Sequence, residues 1–120
     1  MARIYEYQGK EILRKIGIPV PIGKCVTNAK EARKVAQEID KPVAVKAQVW
    51  ATGRFKSGGI KFANTPEETE KVVQELIGNK VKGLLVEKVL VEDQLDIERE
   101  FYAGVIVSNS FKIKGPLLIF

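Results

Sequence analysis

The run Val43–Lys61, VAVKAQVWATGRFKSGGIK, constrains this chain most. A short valine-rich stretch carries Lys46 into a segment that holds Gly53, Gly58 and Gly59 with Arg54, Lys56 and Ser57. The chain then returns through Ile60-Lys61-Phe62-Ala63. This order predicts a strand, a flexible cationic loop and a second strand. Glycines let backbone N–H groups close over an anion, while Arg and Lys supply the charge that phosphate oxygens need. The spacing is neither G-x-x-x-x-G-K-[ST] nor G-x-G-x-x-G. A basic hairpin between two strands fits the residues as well as a phosphate lid does. Lys46 weighs toward an anion, because a buried lysine costs free energy unless it is paired. With Gln48 on the same strand face, its stem can also snorkel from a polar face laid over a core face.

At 120 residues with 45% hydrophobic side chains, the chain has the length of one domain with a modest core. Its net charge of +5 suits a polyanionic ligand. The 15 acidic residues are interspersed among the 20 basic ones, however, so no dense stripe for nucleic acid is expected. The chain has no histidine, so any imidazole or phosphohistidine step must come from another chain or segment. The single cysteine, Cys25, offers neither an internal disulfide nor a thiolate cluster. No long apolar span argues for export or membrane insertion, and the expected location is cytoplasmic.

Along the chain, an extended start leads to a helix over about Gln8–Ile16 that ends at Gly17, with Ile12, Leu13 and Ile16 as its packing stripe. Pro19 and Pro21 then hold the backbone extended. A strand over Ile22–Val26 precedes a helix running to about Asp40, for which Asn28 and Glu31 form a capping pair. With the strand bearing Lys46, these elements describe a β-α-β crossover. After Ile60–Ala63, Thr65-Pro66-Glu67-Glu68 announces another helix, whose stripe is Val72, Val73, Leu76 and Ile77 and whose exit is Gly78-Asn79. Leu84–Leu90 is the next strand candidate, and Phe101–Val107 with Phe111–Ile119 read as a hairpin. The apolar ending Leu117-Leu118-Ile119-Phe120 seeks further structure, so the chain is expected to be the front of a longer polypeptide.

A second polar constellation spans Glu92 to Glu100. A loop there can bring both carboxylates to one crevice, where they accept hydrogens from an amine or hydroxyl. On the residues alone the stronger reading is that Asp93, Asp96, Glu98, Arg99 and Glu100 form a solvated salt-bridge belt. No spacing in the chain describes a zinc site.

Taken in order, several segments resemble one family. They are Glu6-Tyr7-Gln8-Gly9-Lys10, Gly17-Ile18-Pro19-Val20-Pro21-Ile22-Gly23, Val45-Lys46-Ala47-Gln48-Val49, Gly53-Arg54-Phe55-Lys56-Ser57-Gly58-Gly59, and Leu90-Val91-Glu92 with Asp96–Gly104. The chain resembles the amino-terminal part of the ATP-grasp β subunits of succinyl-CoA synthetases and related acyl-CoA ligases, including citryl- and malyl-CoA-forming enzymes. The resemblance implies an α/β (α+β) fold, the N-terminal region of an incomplete ATP-grasp domain. Residues 1–23 would be a leading helix and proline-containing joint, and residues 24–120 the front of the nucleotide-binding domain.

For function, the resemblance implies an acid–CoA ligase (ADP-forming), most simply one acting on succinate, with the present segment inactive by itself. Citryl-CoA synthetase, ATP-citrate lyase-like or malate–CoA ligase subunits are the alternatives, and a noncatalytic nucleotide-binding or docking fragment is another. The nucleotide-contacting lysine maps to Lys46 and the phosphate-covering loop to Gly53-Arg54-Phe55, with Lys56 just beyond. The adenosine-side carboxylate maps to Glu92 and a second nucleotide-site glutamate to Glu100. Pro21 matches a position near the base and resembles the ATP-using branch. Phe55 stands where the family usually has glycine; its bulk restricts φ and would either narrow phosphate access or contact another part of a related acyl-CoA ligase. The implied cofactors are ATP/ADP and Mg²⁺, with metal ligands beyond residue 120 and no catalytic residue in this segment. CoA and the phosphohistidine would belong to an α subunit or fused equivalent, and a small carboxylic acid would be the other substrate.

Overall fold

The structure is a computed structural model that describes residues 3–110, 112 and 114–120. Helix α1 spans Glu6–Lys15, strand β1 Gly23–Val26, helix α2 Ala29–Ile39 and strand β2 Val43–Ala47. Strand β3 spans Ile60–Ala63 and helix α3 Pro66–Leu76. They are followed by the short strands β4 (Lys80–Val81) and β5 (Leu84–Leu85), then β6 (Val89–Asp93). Strands β7 (Gly104–Asn109) and β8 (Lys114–Ile119) form a separate antiparallel hairpin. Phe111, expected to open the second of these strands, lies outside the described residues, as do Met1 and Ala2 of the extended start.

Local signals place α2 and α3. The Asn28 side chain accepts from the Glu31 N–H at 2.9 Å, and Thr65 Oγ1 accepts from the Glu68 N–H at 3.1 Å with Pro66 in the first turn. In each helix the glutamate reaches back to the residue before the cap, Glu31 to the Thr27 N–H and Glu68 to the Asn64 N–H. α2 ends at Asp40, held left-handed at φ 53°. Arg33 ties the helices together through Glu67 at 2.6 Å and Glu70 at 2.9 Å.

The main sheet has the order β1-β6-β2-β3, and every neighbouring pair is antiparallel. Both crossovers are therefore split: β6 lies between β1 and β2, and β2 lies between β3 and β6. The expected β-α-β unit exists, but its two strands do not pair. The Leu84–Leu90 expectation also divides. Lys82 (φ 50°) and Gly83 (φ 78°) turn β4 back into β5, and pairing with the main sheet resumes only at Val89.

Strand alternation gives the sheet two unlike faces. Val43, Val45 and Ala47 of β2 and Val89 and Val91 of β6 join Val26 and Ala63 against Ala32, Val35 and Ala36 of α2 and Val73 and Leu76 of α3. The intervening positions of the two central strands, Ala44, Lys46, Leu90 and Glu92, project to the other side. Register sets Lys46 opposite Leu90 and Ala44 opposite Glu92, so Lys46 and Glu92 are diagonal neighbours on that face.

Helix α1 corrects one expectation. Ile12, Leu13 and Ile16 do not pack; all three are exposed, and no residue of α1 is buried. The helix meets the sheet on its polar face, so it docks through Glu6 and Lys10, one turn apart on the same side. β1 makes room for this arrangement at Gly23, which pairs with Glu92. A Cβ on Gly23 would sit 2.4 Å from the Val91 carbonyl oxygen and 2.5 Å from Glu92 Cβ. Gly23→Ala should therefore cost about 1–3 kcal/mol, as overpacked sites do. Urea unfolding of the full-length protein measures this, and an unchanged midpoint would show that the β1–β6 contact relaxes freely.

Candidate functional site

The polar face of the sheet carries a network of five charged side chains. Lys46 Nζ lies 2.6 Å from Glu92 Oε1 and 3.1 Å from Glu6 Oε1. Lys10 Nζ lies 2.5 Å from Glu92 Oε2 and 2.9 Å from Glu6 Oε1. Arg54 closes the network from the loop after β2: one guanidinium nitrogen pairs with Glu6 Oε2, and the other donates to the Ala47 carbonyl at 2.7 Å. Three cations thus face two carboxylates, which leaves one unit of positive charge.

Glu92 is only 2% exposed. A buried carboxylate is tolerable only when it is ion-paired and hydrogen-bonded, and two lysines meet that requirement. Burial works to raise the Glu6 carboxyl, but hydrogen bonds from Arg54 and Lys10 and the charge of Lys46 overcome it. The group is held at about 2, against an ordinary 4.5. Burial likewise works to lower the Lys46 ammonium, and its hydrogen bond to Glu92 with the charge of Glu6 raises it instead.

The start of α1 is fixed by further hydrogen bonds and ring contacts as well. The Tyr7 N–H donates to Gln48 Oε1 at 3.1 Å, and Gln48 Nε2 donates to the Lys46 carbonyl at 3.0 Å. The Tyr5 N–H donates to Gln8 Oε1 at 2.8 Å. The Tyr5 ring stacks on Trp50 with centroids 5.0 Å apart, and Lys88 Nζ lies 5.0 Å from the Tyr5 ring centre.

The network partitions two clefts. One, of about 650 Å³, is lined by Lys46, Glu92, Pro21, Phe55, Phe62 and Glu100 among others. The other, of about 810 Å³, holds Glu6, Arg54, Tyr5, Trp50, Thr52 and Lys82. Five of the sequence-proposed site residues therefore share one cleft: Pro21, Lys46, Phe55, Glu92 and Glu100. Arg54 stands on the far side of Glu6, and the exposed Lys56 lines neither cleft.

Lys46 and Glu92, assigned by the resemblance to different parts of a nucleotide, here touch each other. Gly53 adopts φ +64°, and a Cβ there would come within 3.2 Å of Lys82 Nζ, so glycine suits this turn. Phe55 carries no such strain, since among the described residues the positive-φ ones other than glycine are Asp40 and Lys82. Its ring leans on Phe62 at 6.3 Å between centroids and gives the cleft an apolar wall.

Sequence reasoning about the site missed Glu6 and Lys10. The signal was present: an acid and a base four residues apart on one helix, and two charged residues, Lys46 and Glu92, set in valine-rich strands that require counterions.

The chain is similar to known proteins over nearly its whole length. A sequence model of the ATP-grasp domain matches residues 3–120. The succinate–CoA ligase [GDP-forming] β subunit of Thermus thermophilus is 47% identical over 109 residues, which are 91% of this chain and 29% of that protein. The succinate–CoA ligase [ADP-forming] β subunit of Roseiflexus sp. is 46% identical over 90% of this chain and 28% of its own length. That of Pyrobaculum arsenaticum is 42% identical over the same shares. The chain therefore spans less than a third of the length of these relatives.

Among solved structures, a dinucleotide-forming acetyl-coenzyme A synthetase 1 of Ca. Korarchaeum cryptofilum has a TM-score of 0.79 at 24% identity, covering 96% of this chain and 51% of that one. The biotin carboxylase domain of a thermophilic 2-oxoglutarate carboxylase, bound to ADP, has a TM-score of 0.59 at 26% identity, covering 76% and 20%. Fold likeness and sequence match agree, and the chain belongs to the ATP-grasp domain family.

Proposed function

We propose that this chain is the nucleotide-gripping front of the β subunit of an acid–CoA ligase of the succinate–CoA ligase type. The observation that carries the reading is the cleft floored by Lys46 and Glu92, with surplus positive charge beside a glycine loop, in a chain so similar to such β subunits. In the complete enzyme a nucleoside triphosphate would give up its γ-phosphoryl group to a histidine of an α subunit or fused equivalent. That group would pass to the acid to form an acyl phosphate, and the CoA thiol would then displace phosphate to make the thioester. This chain has no histidine, which fits a histidine supplied from elsewhere.

Its own residues bind and orient. Lys46 would pair with phosphate oxygens. Arg54 and the Gly53 turn would cover the polyphosphate and limit water. Glu92, Glu100 and Pro21 would face the nucleoside from the same cleft. Phe55, backed by Phe62, would narrow the phosphate end. Mg²⁺ is implied by the family, but among the described residues no cluster of three or more acidic, thiol or imidazole groups could hold a metal ion. The relatives' names include both GDP-forming and ADP-forming enzymes, so the proposal commits to a purine nucleotide, with Pro21 favouring ATP. No described helix is long and apolar enough to cross a membrane, and we place the enzyme in the cytoplasm.

Two outcomes follow. In the complete enzyme, Lys46→Ala should weaken ADP binding roughly 10- to 100-fold, the value of a charge-assisted hydrogen bond, and lower acid-dependent turnover with succinate. Unchanged titration affinity together with unchanged turnover would reject the role.

The network also sets the acid limb of stability. The Glu6 pKa is depressed from 4.5 to about 2, so its stabilisation is present above pH 4.5 and is lost as pH falls through about 2. Allowing for solvent screening, this is worth about 2 kcal/mol. Glu6→Gln should flatten the stability-versus-pH curve in that window; superimposable acid limbs for the two proteins would contradict it. The raised Lys46 pKa acts at the other end, stabilising fully below pH 10.5 and fading above it.

A further inference from the structure

Glu6 pairs with two cations of the proposed phosphate grip. Its Oε1 lies 3.1 Å from Lys46 Nζ, and its Oε2 pairs with Arg54. One carboxylate thus spans a lysine and an arginine with separate oxygens, the bidentate arrangement that a phosphate group also adopts. The same side chain stands at the boundary between the two clefts, with Lys46 lining one and Arg54 the other. Glu6 thus occupies one pairing position on each of the two cations.

We infer that Glu6 is an internal stand-in for phosphate, seated between Lys46 and Arg54 and displaced by a nucleoside polyphosphate, so that binding unseats the start of α1. The inference rests on the reading that these two cations grip nucleotide phosphate.

Charge favours the exchange. With Glu6 the network sums to +1; without it Lys10, Lys46 and Arg54 face Glu92 alone, and the sum rises to +2. A polyphosphate satisfies that surplus better than one carboxylate does. Mechanics favour it too. No residue of α1 is itself buried, so its first turn contributes no side chain to the apolar core. The contacts to be released are the Glu6 ion pairs, the Tyr7–Gln48 hydrogen bond, the Tyr5 stacking on Trp50 and the Lys88 contacts with the Tyr5 and Tyr7 rings, while Lys10–Glu92 can hold the next turn. The cost of displacement is subtracted from the gross affinity for ligand, which makes Glu6 a residue that sets nucleotide affinity from outside the ligand's contact list.

Calorimetric titration of the full-length protein with ADP and with adenosine tests this directly. Glu6→Gln keeps the side-chain shape but removes the charge. It should tighten ADP binding about 10-fold and leave adenosine unchanged. Equal or weaker ADP binding would show that Glu6 only positions the cations and would overturn the inference. Should that variant fold poorly, amide hydrogen exchange on the wild-type protein decides. Saturating ADP should speed exchange across the first turns of α1, whereas adenosine should not; equal or greater protection with ADP would overturn the inference. Lys46→Ala is the separate control. If it leaves ADP affinity unchanged, the phosphate-gripping reading itself has failed, whatever Glu6 does.

Discussion

A carboxylate buried in a sheet has to find positive charge, and that constraint organises this structure. Glu92 lies on a central strand with its side chain almost wholly enclosed. Lys46 reaches it from the adjacent strand and Lys10 from α1. Replacing one partner of such a group leaves an uncompensated charge, which is far more costly than the pair is stabilising. The requirement therefore fixes which helix face meets the sheet, and it brings Glu6 and then Arg54 into the same cluster. A short run of ion pairs connects three remote stretches of chain.

The division of labour between the two sheet faces follows from the same alternation. The valine side packs on α2 and α3 and supplies cohesion without needing any ligand. Freed from that duty, the opposite side can hold charge, a glycine loop and an aromatic wall at the edge of a cleft. α1 belongs functionally to this second side. It adds little apolar burial, and it brings two of the five charged groups. An element held by polarity rather than by core contacts is suited to respond to a charged ligand.

Much of this was legible in the residues, and what was not has a physical cause. The caps at Asn28 and Thr65 act over three residues, so both long helices could be read from local chemistry. The strand–loop–strand around Lys46 was equally local, as was the hairpin that follows Gly104. The insertion of β6 between β1 and β2 was not visible, because its partners lie more than forty residues away and no local pattern specifies such pairing. Apolar spacing misdirected the reading of α1. Ile12, Leu13 and Ile16 form a regular stripe, yet the face available to the helix is charged, so the tertiary surroundings overrode the pattern. The proposed site was visible as separate residues, and only the fold showed that Lys46 and Glu92 touch.

The most direct measurement is a crystal structure of the full-length protein with a non-hydrolysable ATP analogue. The account predicts the polyphosphate in contact with both Lys46 Nζ and the Arg54 guanidinium, with the nucleoside in the cleft beside Pro21 and Glu92. An analogue bound elsewhere, with the ion pairs among Glu6, Lys46 and Arg54 intact, would contradict it.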